Sequence, residues 1–173
     1  NFEQPYFATS IVDFWRRWHI TFSSWLRDYV FLPLEFETRR VRTKAMQYLN
    51  TLITFLISGM WHGATLNFLL WGGLHGVYQI GEDLLPTKSQ TDENKNAVTK
   101  ILRMILTFIL VSLAWVLFRA DTFQIALDYF ETLFDFSTIF QFTATAFVLD
   151  AQDFGLAIIM LPIMLLLDLI QRK

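Results

Sequence analysis

MQYLNTLITFLISGMWHGATLNFLLWGGLHGVYQIG, running from Met46 to Gly81, is the stretch whose reading decides the fold. It is mostly apolar and longer than the roughly 20 helical residues that one membrane crossing needs. It is predicted to hold two short, tightly connected spans, 46–60 and 66–81, with Trp61-His62-Gly63 at or near the break between them. A break at membrane depth is tolerated only where protein or a water-filled cavity surrounds it. A histidine there is costly to insert and marks a substrate path, a proton relay or an internal polar contact.

The rest of the chain has matching composition. Of 173 residues, 54% are hydrophobic and 17% aromatic, with 18 Phe and 6 Trp, and the mean hydropathy is +0.38. That is above the apolar share of soluble domains and indicates a membrane protein. A formal net charge of −2 argues against nucleic acid as a partner, since such a binder carries a basic surface. Without cysteine, the chain has no disulfide, thiolate metal site or Cys nucleophile. It opens on Asn1 and no signal-peptide pattern precedes the first motif, so it reads as a fragment of a longer protein.

Upstream of the hairpin, residues 10–31 contain neither Gly nor Pro, begin at a candidate N-cap, Ser10, with Asp13 three residues on, and stop before Pro33. One continuous helix is predicted. At 100° per residue, Ile11, Phe14, Trp15, Trp18, Phe22, Trp25, Leu26 and Tyr29 share one face, and Asp13, Arg16, Arg17, Ser24, Arg27 and Asp28 the other. This is the pattern of an amphipathic helix lying in the membrane interface. His19 falls at the edge of the apolar face beside Ser23 and Leu26.

Downstream, residues 82–96 are polar and read as a loop. A span is predicted at 98–118, a surface helix from Phe123 to Phe134 within an acidic, Phe-rich segment, and a last span at 154–170. Lys and Arg collect in 35–44, in 88–103 and at the C-terminus, which places those segments in the cytoplasm and 120–153 outside. The expected fold is therefore all-α: a multi-pass protein of the plasma or inner membrane, in contact with the lipid bilayer.

Each motif has a plain and a chemical reading. His62 and His75 both sit in a Gly-x-x-x-Gly frame, Gly59 to Gly63 and Gly72 to Gly76. Small residues four apart let membrane helices approach closely, and a neutral imidazole can settle on a neighbouring carbonyl. Chemically, a neutral His is a general base able to take a proton from a hydroxyl. A metal site made of His19, His62 and His75 with Asp13 or Asp28 lacks any His-Glu-x-x-His pattern, and no metal is expected. Arg16, Arg17 and Arg27 either face headgroups, paired with acidic neighbours, or hold a phosphate or anionic carrier. Phosphate-binding Gly-rich loops and the Gly-x-Ser-x-Gly elbow are absent, and so is a His-x-x-x-x-Asp acyltransferase pattern, because Ser24, Asn67 and Ile80 stand where Asp is required.

Pro5-Tyr6-x-Ala8-x-Ser10-x-x-Asp13-Phe14-Trp15-Arg16-Arg17-Trp18-His19-Ile20-Thr21-x-Ser23-x-Trp25-Leu26-Arg27-Asp28-Tyr29 resembles the membrane-bound O-acyltransferase family, in the branch of alginate O-acetyltransferase and the membrane protein of teichoic-acid D-alanylation. Gly59-Met60-Trp61-His62-Gly63-Ala64, Trp71-Gly72-x-x-His75-Gly76 and Ala114-Trp115-x-x-Phe118-Arg119-Ala120 follow in the same order. The likeness covers about residues 1–130. It departs after Pro33-Leu34, where Glu35-Phe36 replaces a common Gly-Gly turn. Family members are much longer, so the resemblance implies the C-terminal part of a helical ring enclosing a tunnel.

The resemblance further implies an enzyme. An acyl group, most simply acetyl, would pass from a cytoplasmic thioester donor, acetyl-coenzyme A or an acyl-carrier thioester, to a hydroxyl of a cell-surface or exported polysaccharide, with no bound cofactor. His62 corresponds to the family's intramembrane histidine and His19 to the second polar position; these are the catalytic candidates. Trp18, Trp61, Arg16, Arg17, His75 and Asn67 are expected to bind substrate or line the tunnel. A donor carrier or an extracytoplasmic acyltransferase is an expected partner. The competing reading is a non-catalytic translocator or scaffold for glycan or lipid export, in which the histidines pack helices or relay protons.

Overall fold

The computed structural model describes residues 1–41, 43–85 and 97–134, together with 159, 160, 163 and 166. Among the described residues there is no strand. The helices are α1 (Ile11–Arg17), α2 (Ile20–Leu26), α3 (Leu32–Glu37), α4 (Lys44–His62), α5 (Leu66–Leu84), α6 (Ala97–Arg119) and α7 (Phe123–Phe134), with a 3₁₀ turn at Pro5–Phe7 and a π turn at Arg27–Phe31. The chain divides into two compact units, Asn1–Leu127 and Asp128–Lys173.

The first unit is built on the α4–α5 hairpin. Thr43 caps α4, its hydroxyl accepting from the Met46 N–H at 3.3 Å, and the chain reverses at Gly63–Thr65. The helices touch through glycine. A Cβ on Gly59 would meet the Phe68 carbonyl oxygen and one on Gly72 the Phe55 carbonyl oxygen, while one on Gly76 would lie 3.3 Å from the Leu52 Cα. The small-residue frames therefore form the packing face of the hairpin. Its open end is closed by polar groups, with the Lys44 ammonium donating to Asp83 at 2.7 Å and the Tyr48 hydroxyl at 2.8 Å.

Helix α6 completes the core. It buries a narrow stripe, Thr107, Val111, Ala114 and Leu117, and leaves Ile101, Leu102, Ile105, Leu106, Phe108 and Ile109 exposed. It is the one helix among the described residues long and apolar enough to cross a membrane, and 22% of its most apolar window is buried. A helix apolar on every side needs either a protein core or lipid around it; this one has too little protein cover for the former. The Asn67 side-chain amide donates to the Ala120 carbonyl at 2.7 Å, which sets the α4–α5 turn level with the C-terminal end of α6.

The single helix expected over 10–31 is corrected by the structure. Ser10 does cap α1, accepting from the Asp13 N–H at 3.0 Å, but the helix ends at Arg17 and restarts at Ile20. Successive contacts trace the path. Ile11 lies at Glu82, Trp15 at Trp71 and His75, and Phe22 at Trp61 and His62 near the turn. The chain then descends along α4, where Glu35 and Thr38 both accept from the Asn50 amide. The segment thus runs up the hairpin and back, and the buried part of its apolar face, Phe14, Trp15, Phe22 and Leu26, packs on protein and not on lipid. Pro33 is taken inside the descending run. A proline ring clashes with the carbonyl four residues back in a regular helix, and the π turn before it relaxes that geometry, with the Leu32 N–H reaching the Arg27 carbonyl.

In the second unit, the Thr132 hydroxyl donates to the Asp128 carbonyl at 2.9 Å. The span expected at 154–170 lies almost wholly outside the described residues.

Candidate active site

The interruption at Trp18–His19 exposes backbone groups that a continuous helix would have paired, and four of them find partners elsewhere. The Arg17 carbonyl accepts from the Glu3 N–H at 2.8 Å, and the Ile20 N–H donates to the Asn1 carbonyl at 2.9 Å. The Thr21 N–H donates to the Asn1 side-chain oxygen at 3.0 Å, and the Trp18 carbonyl accepts from the Ser23 hydroxyl at 3.1 Å. His19 itself sits at φ 46, ψ 51. This left-handed conformation costs a non-glycine residue about 1–2 kcal/mol, and it recurs at sites where the side chain must be aimed.

Both candidate histidines meet at one ring. The Phe22 centroid is 5.2 Å from the His19 ring and 5.8 Å from the His62 ring. His62 occupies the last turn of α4, half-exposed, and Trp71 and Phe118 present their rings to it at 5.3 and 5.0 Å, with Phe68 at 6.0 Å. Gly63, next in the chain, leaves room for Phe68, whose ring carbons would lie 2.8 Å from an added Cβ. The result is an imidazole held by aromatic faces at the end of a helix hairpin, with a second imidazole beyond Phe22. Sequence spacing makes Phe22 only one more apolar-face residue; Phe118 belongs to a recognised motif and is the more legible of the two.

The other candidates separate into two groups. His75 is fully buried, 0% exposed. Its Nδ1 accepts from the Trp15 indole N–H at 3.3 Å, and it is flanked by Phe14, Phe55 and Trp71. It packs the core formed by α1, α4 and α5. Asn67 is likewise buried and serves as the tie from α5 to Ala120. Arg17 is bound to Asp13 at 2.8 Å and Arg27 to Asp28 at 2.8 Å. These pairs commit both carboxylates, and among the described residues no three His, Cys, Asp or Glu side chains gather as a metal site would require.

The remaining three stay at surfaces or cavities. Trp61 is 66% exposed and leans on Trp25 at 5.6 Å. Trp18 stacks on Phe14, meets Trp115 edge-on, and lines a cavity of about 440 Å³ against α6. Arg16 lines another, of about 540 Å³, with Arg27, Ser23, Thr54 and Gln79. A polar group not foreseen, Glu82, caps α1 from the far end of α5, accepting from the Ile11 N–H at 2.6 Å and the Val12 N–H at 3.4 Å.

Residues 1–118 match the membrane-bound O-acyltransferase family, and the chain belongs to it. It is 40% identical over 139 residues to the probable alginate O-acetylase AlgI of Pseudomonas aeruginosa, an alignment covering 80% of this chain and 25% of the relative. It is 42% identical to the peptidoglycan O-acetyltransferase of Helicobacter pylori, over 73% of the chain and 23% of that protein. With the teichoic acid D-alanyltransferase of Streptococcus thermophilus the identity is 31%, over 68% of the chain and 32% of the relative. The chain thus spans between about a quarter and a third of the length of these proteins.

Proposed function

We propose that this chain is the C-terminal part of a multi-pass O-acyltransferase of the plasma or inner membrane. The observation that carries the reading is the placement of His19 and His62 against a single Phe22 ring at the end of the hairpin; the names of the relatives support the class of reaction. In the complete protein the remaining helices close a ring around a tunnel with this site inside it. A thioester, acetyl-coenzyme A or an acyl-carrier thioester, enters from the cytoplasm, and a polysaccharide hydroxyl enters from outside.

The hydroxyl oxygen attacks the thioester carbonyl while an imidazole nitrogen of His62 takes its proton. His19 donates a hydrogen bond to the developing oxyanion. The C–S bond then breaks, and the departing thiolate recovers the proton from His62. The aromatic wall of Trp71, Phe118 and Phe22 keeps water from the thioester. A donor carrier or an extracytoplasmic acyltransferase would work at the two mouths of the tunnel.

The test is O-acyl content of the surface polysaccharide in cells carrying the full-length parent with His62→Ala, beside a blot for membrane expression. Loss of about 10²–10⁴ in transfer rate at normal protein level is expected. Retained acylation would refute the base and favour a translocator or scaffold.

A further inference from the structure

We infer that Asn1 is a positioning residue for His19, fixing which ring nitrogen carries the proton of the neutral imidazole; this rests on the reading of His19 as part of the acyl-transfer site. The Asn1 side chain makes two contacts that together settle its orientation. Its oxygen accepts from the Thr21 N–H at 3.0 Å. The atom of the same amide that faces His19 Nδ1, at 3.2 Å, is therefore the NH₂ nitrogen. An amide nitrogen has no lone pair to offer. Nδ1 must be the acceptor, and the proton of the neutral ring sits on Nε2.

That tautomer suits the role. An Nε2–H with its Nδ1 already engaged is a donor ready for a developing oxyanion, with no proton to move before it can act. The ring is also held in place: Phe2 and Phe22 stand on it at 6.2 and 5.2 Å. Backbone and side chain are held by the same residue, because the Asn1 carbonyl accepts from the Ile20 N–H immediately after the left-handed His19. Asn1 thus caps α2 and orients the imidazole at its N-cap position. Eighteen residues separate the two, and no helix or turn rule links positions so far apart.

Asn1→Asp separates the two duties. The carboxylate is isosteric, still accepts from Thr21, and is favoured at a helix N-terminus. It cannot donate to Nδ1, so a neutral ring carries its proton on Nδ1, facing the carboxylate, and leaves Nε2 an acceptor. The experiment uses the full-length parent with Asn1→Asp, Asn1→Ser, His19→Ala and the Asn1→Asp/His19→Ala pair. Three readouts are taken: a blot for protein level, O-acyl content of the surface polysaccharide, and ¹⁵N-imidazole NMR of the purified protein, with His19 assigned by difference from His19→Ala.

In Asn1→Asp the His19 proton is expected on Nδ1, with acylation lowered about ten- to a hundredfold at unchanged protein level, and no further loss on adding Asn1→Asp to His19→Ala. Asn1→Ser, which keeps a capping hydroxyl, is expected to give a mixture of tautomers and a smaller loss. An unmoved proton in Asn1→Asp, or a loss that multiplies with that of His19→Ala, would overturn the inference alone. Full acylation in His19→Ala would instead overturn the role of His19 in the reaction, an outcome the NMR readout distinguishes because it does not depend on activity.

Discussion

His19 and Gln4 are the two non-glycine residues at positive φ among those described, and the histidine is the one with a chemical reason to be there. Glycine adopts that conformation without steric cost. His19→Gly is therefore expected to be more stable than His19→Ala by about 1 kcal/mol, while both lose acylation equally; thermal melting of the two purified variants checks this. The reverse order would mean that the backbone at position 19 relaxes once the imidazole is gone. His75 makes the opposite case. Trp15→Phe removes the indole N–H and leaves a buried acceptor unpaired, an expected cost of about 1–3 kcal/mol. Acylation per folded molecule should hold, since the Trp15–His75 pair supports the core and touches no proposed substrate. A drop in specific activity with unchanged stability would instead place His75 in the site.

At the scale of the element, the hairpin can be tested by two substitutions of identical chemistry. Gly72→Ala puts a methyl group into the Phe55 carbonyl, and that backbone cannot yield without parting α4 from α5. Gly81→Ala meets nothing within 4 Å and gains up to about 1 kcal/mol of helix propensity. Membrane accumulation is expected to collapse for the first and to hold or rise for the second. The polar end of the hairpin has a pH signature. Hydrogen bonds from Lys44 and then Tyr48 hold the Asp83 carboxyl below the usual carboxylate range. Its folded-state pKa being depressed, its stabilising effect is full above the unfolded value and is lost as pH falls through the folded one. Asp83→Asn should flatten the acid limb of a stability-versus-pH curve; an unchanged limb would show the pair to be screened out.

For the whole molecule, the exposed apolar sides of α6 and the position of Asn67 beside Ala120 give the hairpin a direction. The α4–α5 turn shares a level with the C-terminal end of α6, and in the proposed topology, which follows the positive-inside rule, that end faces outside. Because this chain has no cysteine, single thiols are clean reporters in a parent freed of any others. Asp121→Cys is expected to react with an impermeant maleimide in intact cells, and Thr38→Cys only after the membrane is permeabilised. The opposite labelling pattern would invert the proposed entry sides of donor and acceptor.

Much of this was legible in the residues alone. An apolar run too long for one crossing, interrupted at Trp61-His62-Gly63, led to a helix pair, because burying backbone in lipid leaves few alternatives to helix and because glycine permits a tight reversal. Twenty-three residues from Ala97 to Arg119 form one helix for the same reason, and the family likeness reached His19 and His62 through motifs carried along the chain. What no periodicity contained was the break at Trp18–His19. Residues 10–31 have no Gly or Pro, and local propensity favours an unbroken helix. The break is stable because distant groups, Asn1 and Glu3 on the backbone and Phe22 against His62, satisfy what it exposes. Such compensation is a property of packing between segments far apart in sequence. Composition and pattern thus determined that the chain is a helical membrane protein with a histidine at the reversal of a hairpin; the tertiary structure alone decided that His19 turns toward the same ring as His62, because only long-range hydrogen bonds offset the cost of bending the chain there.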